Sequence, residues 1–148
     1  MKLYTSYFAR IRYFPKNLVA LSTVVYEPKW YPIGGVDSRG VISIRCNPLR
    51  PGPSCNGLCN GSCEPKYPKN CKFLREYRKQ LDAIDFDAFM EKLLDLRECL
   101  LADFPDREDF DFAFIFFEKW DNQCSERWAV QDWIRAHGLE IEEWNPTI

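Results

Sequence analysis

The chain has 148 residues, 46% of them hydrophobic and 16% aromatic, with eleven Phe, seven Tyr and five Trp. That supplies a packed core and excludes an intrinsically disordered chain; at this length a domain buries roughly 68–70% of the surface its unfolded chain exposes. Net charge is only −2, yet residues 1–79 hold fourteen Lys and Arg against four Asp and Glu, and residues 80–148 hold six against eighteen, which reads either as a basic, polyanion-facing half or as two halves that complement each other in the fold.

The first twelve residues carry no apolar core of signal-peptide length. The longest apolar run, Phe112 to Phe117, falls far short of the ~20 residues a membrane helix needs. One cytoplasmic domain spanning residues 1–148, without membrane contact, is expected.

In chain order, residues 2–8 form a first strand rich in aromatic and β-branched types, with Thr5, Ser6 and Tyr7 near its carboxyl end. Residues 17–26 form a second, whose near-continuous apolar character suits burial on both faces of a parallel sheet. A loop with Trp30 and Tyr31 follows, then a short strand over 41–45. From Cys71 a helix places Phe73, Leu74, Tyr77 and Leu81 on one face. A second helix runs from Asp85 or Asp87 to Leu101, with an Asp as N-cap. Pro105 closes that unit. A strand over 111–117, a helix from Gln123 to His137, a Gly138 C-cap and a strand over 139–144 complete the chain. Helices alternating with strands in the second half favour a three-layer α/β fold over a bundle or barrel.

Residues 46–71 break this pattern with repeated Pro and Gly and five cysteines. Cys55, Cys59, Cys63 and Cys71 have spacings compatible with a structural zinc site, with Cys46 as a spare ligand. Gly and Asn between them tolerate the backbone turns such a site requires. A disulfide staple, an iron–sulfur cluster and unliganded thiols are the alternatives. Zinc would order an insertion that otherwise has little to order it. The surrounding basic residues make 39–79 a candidate nucleic-acid contact.

The segment after the 111–117 strand is the candidate active site. With Asp121 or Asn122 as cap, Cys124 falls in the first turn of the last helix, where the dipole and free N–H groups favour a thiolate or bind an anion. Glu118 is a candidate general acid/base. The bland readings are a buried packing role for Cys124 and a C-terminal capping role for His137, the sole histidine.

Met1-Lys-Leu-Tyr-Thr-Ser-Tyr-Phe-Ala, Lys29-Trp30-Tyr31, Phe117-Glu118-Lys119-x4-Cys124 and Gly138-Leu-Glu-Ile-Glu-Glu-Trp144 together resemble the domain-of-unknown-function family 488, over about the first 31 and last 40 residues. The resemblance implies a Rossmann-like or flavodoxin-like, mostly parallel sheet of bacterial or phage type, with no established reaction. Related proteins carry Cys where this chain has Phe116, and His-Arg where it has Ser125 and Glu126, so part of the family's polar cluster is missing. The Cys-rich loop reads as an insertion.

The expected function is binding of a small, nucleotide-like ligand at the strand carboxyl ends. Thr5, Ser6 and Tyr7 would bind it, Trp30 and Tyr31 would wall it, and Glu118 and Cys124 would serve any transfer or hydrolysis. The alternative is a non-catalytic module whose basic zinc loop contacts nucleic acid or a protein.

Overall fold

The apolar run near residue 112 is the middle of the sheet. The computed structural model describes residues 1–59 and 71–144. Its strands are β1 (Leu3–Tyr7), β2 (Leu18–Ser22), β3 (Gly35–Val36), β4 (Ile42–Arg45), β5 (Asp111–Phe116) and β6 (Glu142–Glu143). They form one six-stranded sheet in the order β3-β4-β2-β5-β1-β6, a Rossmann/flavodoxin-like layout. All pairings are parallel except β3 with β4. β5 pairs with β1 from Leu3↔Phe112 to Tyr7↔Phe116, and with β2 from Leu18↔Asp111 to Ser22↔Ile115. A strand with parallel neighbours on both sides and cover on both faces must be apolar at every position, which is why β5 reads as a run rather than an alternation.

The alternation reappears in what each side chain packs against. Phe112, Phe114 and Phe116 join Leu3, Val19 and Leu21 in a core under three helices, α1 (Lys72–Asp82), α2 (Phe86–Asp103) and α3 (Glu126–Ala136). Ala113 and Ile115 join Ala20, Leu18 and Val41 in a second core, roofed by Phe8, Ile11, Phe14 and Tyr31. The three layers are therefore helices, sheet, and a thinner cover made by a 3-10 helix (Phe8–Tyr13) and the loop after β2. Each fully buried Phe contributes on the order of 1.5–3 kcal/mol by leaving water.

Local chemistry sets the helix ends. Asp85 caps α2, its Oδ1 accepting from the Ala88 N–H at 3.1 Å. α1 turns Leu74, Tyr77 and Leu81 inward, as its spacing predicts. At the end of α3, Gly138 has φ +84°. Its N–H donates to the Arg135 carbonyl and that of Leu139 to the Ile134 carbonyl, a complete Schellman closure that favours glycine at this position.

Several sequence expectations need correction. The stretch between β1 and β2 holds a 3-10 helix that the sequence reading did not include, and the antiparallel β3 was not anticipated. The second strand ends at Ser22 rather than Tyr26, and the last strand shrinks to Glu142–Glu143. Among the described residues no helix is long and apolar enough to cross a membrane.

Candidate functional site at the carboxyl edge of the sheet

β5 lies between β1 and β2, and the connections of these strands leave on opposite faces. The segments after β1 and β2 cover one face, while the loop after β5 leads to α3 on the other. Such divergence opens a crevice at the strand carboxyl ends, where open α/β sheets place ligands. A groove of about 700 Å³ lies there, lined by Tyr7, Phe8, Arg12, Trp30, Phe117 and Lys119 among others. Trp30 is 58% and Phe117 54% exposed. Both rings lean on Phe8, with centroids 6.1 and 5.4 Å away. Phe8 itself is buried, so it fixes the two exposed rings to the core. Arg39, also on the wall, is pinned by the carbonyls of Ile11 and Arg12 and by Asp37. Pinning holds its charge in place.

Beneath this edge sits a buried polar network. Arg127 is wholly enclosed. Its Nε donates to Glu143 Oε1 at 2.7 Å, and its terminal nitrogens donate to the carbonyls of Lys119 (2.8 Å) and Ser6 (3.2 Å). The guanidinium also lies 5.7 Å from the Phe116 ring centroid and 5.9 Å from that of Tyr7. Thr5 Oγ1 donates to Glu143 Oε1 and accepts from Gln131 Nε2, each at 2.7 Å. One side chain thus ties together β1, β6, α3 and the loop after β5. Burial raises the Glu143 carboxyl above its ordinary value even though Arg127 and Thr5 pull it down. Among the described residues, Glu143 Oε2 and Ser6 Oγ have no hydrogen-bond partner.

Ser125 caps α3, its Oγ accepting from the Arg127 N–H at 3.2 Å and donating to Glu118 Oε2 at 3.2 Å. This brings Glu118 towards Glu126 in the first turn of α3. Burial, then the Glu118 carboxylate, push the Glu126 carboxyl up to about 7. A carboxyl raised in this way is a recognised feature of groups that transfer protons. Glu126 also lines a smaller cavity, about 250 Å³, with Cys55, Cys59, Phe73 and Phe117.

The predicted residues therefore divide. Tyr7 and Trp30 share the groove. Thr5 and Ser6 are fully buried and serve the Arg127–Glu143 network instead of facing a ligand. Tyr31 is a core residue rather than a wall: it is 4% exposed, and its hydroxyl contacts the carbonyls of Ile44 (2.6 Å) and Ala20 (3.0 Å). Burial pushes its phenol well above the ordinary range. Cys124 precedes the cap instead of occupying the first helical turn, and its N–H donates to Asn122 Oδ1 at 2.9 Å. The helix dipole argument for a thiolate there loses its geometry. Glu118 stands just beyond β5, as expected.

Of the cysteine set, Cys55 is buried with its thiol 4.0 Å from Gln80 Oε1, Cys59 is exposed and Cys71 half-buried at the start of α1. Cys63 lies outside the described residues. Among the described residues no three Cys, His, Asp or Glu side chains converge as a metal set. Cys46, expected as a spare ligand, is packed in the helix-side core, where burial pushes its thiol up to about 12. In the basic stretch, Arg45 is paired with Glu27, Arg50 with the carbonyls of Val24 and Val25, Arg78 with Asp132 and Lys79 with Glu76.

Arg127, Gln131, Glu126 and Glu143 escaped the sequence reading. One signal was present: Arg127 and Gln131 fall i, i+4 on the same face as Val130 and Ile134, so a charge and an amide occupy core positions of an amphipathic helix. Comparison with protein-family models, with curated proteins and with solved structures returns no match for this chain.

Proposed function

We propose that the groove at the ends of β1 and β5 binds a small anionic ligand with an aromatic ring, of nucleotide type. The supporting observation is the pairing of two exposed rings, Trp30 and Phe117, with Arg12 and Lys119 in one groove lining. Ring stacking contributes roughly 1–3 kcal/mol per base, and cations beside it select a phosphate or carboxylate. The groove volume of about 700 Å³ lies within the usual range for small-ligand sites. In this reading Glu118, next in sequence to the groove residues Phe117 and Lys119, is the candidate acid/base for transfer or hydrolysis, in a divergent relative of the domain-of-unknown-function family 488.

Calorimetric titration with nucleoside monophosphates tests it. Saturable binding should weaken at least tenfold in Trp30→Ala and in Arg12→Ala, and the corresponding nucleosides should bind more weakly than the phosphates. Equal binding by wild type and both variants would refute the reading.

We also propose that one zinc ion held by Cys55, Cys59, Cys63 and Cys71 orders residues 46–71. The support is four thiols within a Pro/Gly-rich stretch. Metal analysis should give about one zinc per purified chain; none would dismiss it. A nucleic-acid role for residues 39–79 has less support, because Arg39, Arg45, Arg50 and Arg78 already have internal partners.

A further inference from the structure

The other face of the sheet carries a second cleft, about 420 Å³, between α2 and the carboxyl ends of β2 and β4. Leu21 and Cys46 form its floor, and Ala88, Phe89, Leu93 and Leu96 of α2 form one side. Phe89 and Leu93 are buried, whereas Ala88 and Leu96 are only half-buried. A packed interior leaves few voids larger than a water molecule, and a cleft with this lining has few groups to hold ordered water, whose share of liquid volume is about 30 Å³. Apolar walls with few polar groups are the ordinary composition of a small-molecule site.

The rim decides the polarity of the occupant. Arg45, Asp85 and Lys92 stand there. The Arg45 charge is met by Glu27 through two bonds, Nε to Oε1 at 2.7 Å and a terminal nitrogen to Oε2 at 2.9 Å. Asp85 is committed to the N-terminus of α2 through the Ala88 N–H, where the helix dipole also offsets its charge. Lys92 has no ion-pair partner among the described residues. One uncommitted cation therefore borders an apolar cleft.

We propose that this cleft binds an amphiphile with an aliphatic tail and a single anionic head, such as a medium-chain carboxylate. The tail lies along Leu21, Phe89 and Leu93, and the carboxylate meets the Lys92 ammonium at the mouth. This site is separate from the groove beside Trp30, so either can fail without the other.

Decanoate, decanol and decylammonium, each below its micelle concentration, are titrated into the full chain by calorimetry. Decanoate should bind saturably at one site per chain, with decylammonium at least tenfold weaker. Lys92→Gln should lower decanoate affinity about tenfold and leave decanol unchanged. Ala88→Phe fills the cleft and should abolish binding of both while the thermal midpoint holds. If that variant misfolds, Leu96→Glu serves, placing a repelling charge on the half-buried wall. Absence of decanoate binding, equal affinity for decylammonium, or unchanged binding in the filled variant overturns the proposal. A dimer in sedimentation that Ala88→Phe dissociates and decanoate does not would likewise overturn it, assigning the cleft to a second copy.

Discussion

Arg127 and Glu143 form an ion pair inside the protein, Nε to Oε1 at 2.7 Å, with side chains 0% and 10% exposed. Neither residue faces the groove, yet the pair fixes the loop after β5, through the Lys119 carbonyl, against the ends of β1 and β6. Removing one partner of a buried pair leaves an uncompensated charge and costs about 3–5 kcal/mol. Arg127→Ala should lose stability on that scale in urea unfolding. Arg127→Lys should recover little, since an ammonium cannot reproduce the fork that reaches Glu143, Lys119 and Ser6 together. A loss below about 1 kcal/mol would show that the network is not structural.

Glu126 gives the protein a signed pH dependence. Its folded carboxyl titrates at about 7 against an ordinary 4.5. Between those values the folded state keeps a proton that the unfolded chain has released, so stability falls as pH rises and levels off above the folded value. Glu126→Gln removes that loss. The variant should match wild type near pH 4 and exceed it by roughly 1–3 kcal/mol at pH 8. Thermal midpoints at the two pH values check this, and equal midpoints at pH 8 would count against the raised Glu126 carboxyl.

Tyr77 anchors the start of the irregular stretch to α1. It is fully buried, and its hydroxyl donates to the Leu49 carbonyl at 2.5 Å. Tyr77→Phe conserves the ring packing but strands that carbonyl, at a cost of about 1–3 kcal/mol. Chemical denaturation measures it directly, and a neutral change would mean that the carbonyl finds water.

Thiol reactivity should follow exposure. Cys59 and Cys99 are exposed, whereas Cys46 and Cys55 are buried and burial raises both their thiols. Native labelling of the chelator-treated chain followed by peptide mapping should find Cys59 and Cys99 modified first, with Cys46 and Cys55 protected until unfolding. Added zinc should slow Cys59 selectively if the loop is a metal site. Early modification of Cys46 would contradict its place in the core.

The centre of the fold was legible because β5 is a continuous apolar run and the helices carry periodic signals, and Asp85 is a cap with few rivals. The start of α3 was not legible. Asp121, Asn122 and Ser125 are all competent caps within five positions, and Ser125 is the one that lets Arg127 point inward to Glu143, a partner sixteen residues away. The same blindness applies to Trp30 and Tyr31. Adjacent aromatics look equivalent in sequence, but one lies on the groove and the other reaches the carbonyls of β2 and β4. Thr5 and Ser6 were placed correctly at the strand end, yet the Thr5 side chain answers to Gln131 of α3 and Glu143 of β6, and Ser6 meets Arg127 through its carbonyl, which sequence position alone does not disclose.

The strand order also governs how the chain must assemble. β1 is made first, but its hydrogen-bonding partners are β5 and β6, whose residues begin at Asp111 and Glu142. During synthesis the earliest strand therefore has no partner until more than a hundred residues have followed it. β2 and β4, by contrast, can pair soon after both exist. Closure of the sheet is a late, long-range event, the kind that slows folding and exposes strand edges meanwhile. A nascent chain halted before β5 would present one three-stranded piece of sheet and an unpaired β1, with the gap between them awaiting the strand that completes the middle.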